Sequence, residues 1–90
     1  MENEILKVSA KSDPKAVAVA TASVVRQRGE VELQAIGAGA VNQAVKSVAI
    51  ARSYLISSGI DLAIKPSFLE IELSEGTRTM IRMLAVGVTE

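Results

Sequence analysis

Hydrophobic and polar positions change period several times along this chain, and each change predicts a new element. Glu4-Ile5-Leu6-Lys7-Val8-Ser9-Ala10 is short, rich in branched residues and closes on a polar cluster, which predicts a strand. Asp13-Pro14 predicts a helix start, because Asp accepts from the open N–H groups of a first turn and Pro loses no hydrogen bond there. That helix is expected to run through Arg28 and stop at Gly29, with Arg26 and Arg28 at the negative pole of its dipole. Val31-Glu32-Leu33-Gln34-Ala35-Ile36 alternates and predicts a second strand, followed by Gly37-Ala38-Gly39. From Ala40 to about Ile56 the apolar residues Val41, Ala44, Val45, Val48, Ala49 and Leu55 recur at helical spacing, and Ser57-Ser58-Gly59 closes this second helix. Ile60 to Ile64 predicts a strand that Pro66 interrupts and Phe68 to Leu73 resumes, before a turn at Ser74-Glu75-Gly76. Thr77 to Val86 is the last strand.

The order β-α-β-α-β-β, with right-handed crossovers, implies an α/β two-layer sandwich in which a mixed four-stranded sheet carries both helices on one face. A three-residue hairpin loop places Leu73 opposite Thr77, Glu72 opposite Arg78, Leu69 opposite Ile81 and Phe68 opposite Arg82. In that register Leu69, Ile71, Leu73, Ile81 and Met83 share one side and the charges the other. Met80 and Leu84 then lie on the open face of the sheet between and beside Arg78 and Arg82. Apolar residues there point to a homodimer or higher homo-oligomer, or else are scattered surface hydrophobes.

Composition narrows the function. The 90 residues support one domain, 1–90, and carry ten basic and ten acidic side chains for a net charge of zero. No Cys and no His are present, which removes disulfides, Cys/His zinc sites, histidine bases and cysteine nucleophiles, so no metal or cofactor is expected. The acidic, polar start Met1-Glu2-Asn3-Glu4 and the absence of a long apolar run predict a cytoplasmic chain with no membrane partner. Paired carboxylates occur as Glu70 and Glu72, expected on one exposed strand face and answered by Arg78 across the hairpin. Nothing in the pattern builds a pocket that would tune a general acid or base, and no enzyme activity is expected.

Chemistry concentrates at two turns. Ile36-Gly37-Ala38-Gly39-Ala40-Val41-Asn42 places glycines between a strand end and a helix start, where free N–H groups can take an anion. The third glycine of a dinucleotide fingerprint is replaced by Asn42, and no Walker lysine follows, so the segment is either a phosphate contact or a tight structural turn. Lys11 and Lys15 bracket the first strand-to-helix turn around Ser12, and parallel strands bring this turn beside the glycine turn. Lys46 along the second helix and Arg78 near the hairpin tip extend a narrow basic strip, with Asp13 and Glu75 diluting it. Each of these lysines, taken singly, also reads as an ordinary solvated side chain. Tyr54 and Phe68 are the only rings, which gives little support to aromatic stacking, and packing is the expected role of Tyr54.

Three stretches, Glu4 to Ser12, Gln34 to Lys46 and Val48-Ala49-Ile50-Ala51-Arg52, resemble the stage V sporulation protein S family over nearly the whole chain. The resemblance implies a small bacterial protein that affects sporulation or a related regulatory process. That family is in turn similar to Alba, small chromatin proteins that dimerise and bind DNA or RNA with the same order of strands and helices. The Alba likeness implies nucleic-acid contacts at the turn after the first strand, the turn before the second helix and the long hairpin arm. Gly37 and Gly39 stand where Alba has basic residues, and Ser12 and Asp13 stand where it has a lysine pair. The expected contact set is Lys11, Ser12, Lys15, Gly37, Gly39, Asn42, Lys46 and Arg78, with weak, salt-sensitive, sequence-independent binding. The alternatives are a protein-interaction scaffold, which suits the neutral charge, and a binder of a small phosphorylated ligand at the glycine turn.

Overall fold

The computed structural model describes residues 4–89. Met1, Glu2, Asn3 and Glu90, which the expected domain 1–90 includes, lie outside the described residues.

Helix α1, Pro14–Arg28, begins and ends where its punctuation requires. The Asp13 carboxylate accepts from the Lys15 N–H at 3.1 Å, and the Gly29 N–H closes the last turn on the Val25 carbonyl at 2.8 Å. Strand β1, Ile5–Val8, pairs in parallel with β2, Glu30–Ala35, and helix α2, Ala38–Leu55, follows. A short 3₁₀ turn, Ile56–Ser58, leads to β3, Ile60–Leu73, and a hairpin returns along β4, Gly76–Thr89. The sheet order β1-β2-β4-β3 makes β3 an edge strand. That position explains why Pro66, expected to interrupt, leaves one continuous 14-residue strand: an edge strand tolerates a residue with no N–H to donate.

The α/β two-layer sandwich is therefore observed, with α1 and α2 packed on each other and on one face of a mixed four-stranded sheet. Small residues let the layers approach. Ala18, Ala22, Ala44 and Ala51 are at most 1% exposed, and they meet Leu33, Val31, Met83 and Leu55 in one apolar cluster. Two buried hydroxyls are satisfied within their own helices, Thr21 Oγ1 donating to the Val17 carbonyl at 2.8 Å and Ser47 Oγ to that of Gln43 at 2.7 Å. Truncating Leu33 to Ala in such a layer costs about 2–5 kcal/mol.

The hairpin register differs from the expected one by one residue. Leu73 pairs with Gly76, Glu72 with Thr77, Ile71 with Arg78, Leu69 with Met80 and Phe68 with Ile81, leaving a two-residue loop of Ser74 and Glu75. Ser74 and Glu75 both keep negative φ, and the chain makes its sharp rotation at Gly76, φ 127°, which thereby joins the ladder. The consequence is an exchange of faces on β3. Phe68, Glu70 and Glu72 share the helix-side face with Ile81, whereas Leu69, Ile71 and Leu73 share the open face with Arg78, Met80 and Arg82. Glu72 and Glu70 are thus not answered by Arg78.

Candidate nucleic-acid interface

Parallel pairing of β1 and β2, with Val8 opposite Ala35, carries the two following turns to the same end of the sheet. The first turn is braced from inside: Ser12 Oγ accepts from the Ser9 N–H at 2.9 Å, and Ser9 Oγ accepts from the Lys11 N–H at 3.2 Å. Lys11 is left exposed on its crest and Lys15 on the first turn of α1.

The second turn rests against the first. Gln43, from α2, donates its side-chain N–H to the Ser12 carbonyl at 2.9 Å. A Cβ added to Gly39 would lie 2.9 Å from the Ala10 Cβ, so only glycine allows this approach. Gly37 caps α2 with φ +90° and ψ 158°, in open space and without a side-chain cap. Its carbonyl accepts the first intrahelical bond, from the Val41 N–H at 3.0 Å, and the N–H groups of Ala38, Gly39 and Ala40 precede that bond. The two helix starts therefore differ in charge. The pole of α1 faces its own Asp13 carboxylate, and that of α2 faces solvent.

Of the expected residues, Lys11, Ser12, Gly37 and Gly39 are brought together at these joined crests, with Lys15 on the adjoining helix turn. Asn42 and Lys46 are exposed four residues apart on α2, on one side of the helix. Arg78 is exposed on the hairpin arm, opposite Ile71 and on the open face. The Ser12 hydroxyl shapes its turn as an acceptor.

The register brings in residues that sequence reading passed over. Lys7, Gln34, Arg82 and Ser67 form one cross-strand row over the open face, read through the pairs Lys7–Gln34, Gln34–Arg82 and Ser67–Arg82. Lys65 stands in the next row beside Leu84. Glu32, 7% exposed, is the acid of this region; it accepts from Gln34 Nε2 at 2.6 Å and lies 3.8 Å from Arg82 Nε. At the far end of the sheet Arg52 pairs with Asp61, Nη2 to Oδ2 at 3.1 Å. The alternation of Leu6 and Val8 inward around Lys7 was the signal that would have placed Lys7 here.

Both rings are more exposed than packing would leave them, Phe68 at 77% and Tyr54 at 37%. No helix of the described residues is long and apolar enough to cross a membrane.

This two-layer β-α-β-α-β-β domain has an Alba-like fold. The chain is similar to the solved structure of Alba from Thermoplasma volcanium, with a TM-score of 0.61 at 16% identity, over 93% of this chain and 98% of that one. Residues 4–88 match the family described as Stage V sporulation protein S (SpoVS), and the chain belongs to that family.

Proposed function

We propose that this chain is a non-enzymatic, cytoplasmic regulator of sporulation or a related developmental programme that acts as a homo-oligomer binding nucleic acid through its joined crests. The observation that carries the reading is the contact between the crests, Gln43 on the Ser12 carbonyl and Gly39 against Ala10. It puts the uncapped start of α2, Lys11 and Lys15 at one end of a sheet whose open face adds Lys7, Arg78 and Arg82. Backbone donors and flexible cations of this kind hold phosphates without reading bases. Membership of the sporulation family and the Alba fold support the regulatory and nucleic-acid parts of the reading.

Self-association draws support from apolar surface away from the crests. Ile56 is 69% exposed just past the opposite end of α2, about 28 Å along the helix from Gly37. Covering it leaves the crests free.

Fluorescence anisotropy with short DNA and RNA over a range of salt tests the proposal. Binding should weaken steeply with salt, and the double variant Lys11→Glu, Lys15→Glu should lose at least about tenfold in affinity while keeping its thermal transition. A double variant that binds as well as the wild type would refute the crest site, and no binding at low salt would leave the scaffold reading.

A further inference from the structure

Beside the crests, where β1 and β2 end and the arm continues past them, the open face holds a cavity of about 410 Å³. Met80, only 7% exposed, lines it together with Ile36 from the glycine turn and Ile71 from the arm, and Lys7, Ser9 and Gln34 are the polar residues of its lining. We infer that this cavity is a slot for one unstacked base of a single-stranded nucleic acid, so that the chain prefers single strands to duplexes; the inference rests on the nucleic-acid reading above and names its ligand class.

The chemistry of the lining selects the ligand. A phosphate has no use for Met80, Ile36 and Ile71, whereas a base presents apolar faces with polar edges and matches a mostly apolar slot with a few polar groups. Cations lie where the neighbouring phosphates would run. Arg78 and Arg82 are four residues apart on β4, about 13 Å along the strand, and Met80 stands midway between them. Lys7 adds a third cation in the row of Arg82. A base in a duplex is stacked and paired, and it reaches such a slot only after paying for unstacking; a single strand offers its bases freely. The scarcity of exposed rings fits the same mode, since an open, mostly apolar slot takes the place of the aromatic platform that single-strand binders commonly use.

The test compares one short oligonucleotide, as DNA and as RNA, single-stranded and annealed, against the full chain at fixed low salt by anisotropy. The expected result is that single strands bind about tenfold more tightly than the duplex. Ile71→Gln, which makes the lining polar from the arm, should erase that difference, and Ile36→Gln should do so from the glycine turn, with circular dichroism confirming the fold of each. Equal binding of both forms, or a preference that survives both substitutions, would overturn the slot while leaving the crest reading intact. No binding of any form at low salt would overturn both.

Discussion

Gly39 illustrates how one residue type can be dictated by contact and its neighbour by conformation. Gly37 has open space around its missing Cβ and is held to glycine by φ +90°, whereas at Gly39 the obstacle is the Ala10 Cβ at 2.9 Å. Ala10 cannot swing aside as a long side chain would, so Gly39→Ala must push the crests apart. The expected cost is about 1–3 kcal/mol, the range for overpacking, measured as a lower urea midpoint at unchanged m-value. Because the displaced groups are the crests themselves, the same variant should bind nucleic acid more weakly than its loss of stability accounts for, measured well below its unfolding transition. A variant as stable as wild type would show that the turns do not touch. Both glycines were visible in the sequence as a turn before a helix, but which of them faces the other crest was not, because that depends on the parallel register of Val8 with Ala35.

At the scale of elements, legibility followed punctuation. Helix α1 was readable to the residue because Asp13-Pro14 opens it and Gly29 closes it, each through a local hydrogen-bonding reason. The hairpin was not, and the reason is that both faces of the arm carry apolar residues: Phe68 and Ile81 on one, Leu69, Ile71 and Met80 on the other. With no polar face to penalise a slip, the pattern admits two registers, and only the loop geometry at Gly76 decides. The cavity between the arm and the crests was hidden by the same slip, which had turned Ile71 toward the helices. A double-mutant cycle between Glu72 and Arg78 separates the registers. With the two on opposite faces the coupling should fall within about 0.3 kcal/mol of zero, while directly opposed partners on one face would show about 0.2–1 kcal/mol.

For the whole molecule, a net charge of zero is a sum over faces of different character, and the arm shows this most clearly. Glu70 and Glu72 occupy its helix-side face; Lys65, Arg78 and Arg82 occupy the open face, continuous with Lys7 and the crests. Side chains on opposite faces of a ribbon are separated by about 10 Å, which at physiological salt is no less than the Debye length of about 8 Å. A polyanion on the open face therefore senses the cations beside it, and Glu32 among them, far more than Glu70 and Glu72 behind it, and affinity should track the face that is altered and not the total charge. The double variant Lys7→Glu, Arg78→Glu should lose at least about tenfold in affinity, and its log–log salt slope should fall by about one to two as those phosphate contacts disappear. The double variant Glu70→Lys, Glu72→Lys moves the net charge equally far in the opposite direction, yet its affinity in 0.15 M salt should stay within about twofold of wild type. If the second variant instead gains as much as the first loses, binding follows global charge, and the polarised face has no special part in it.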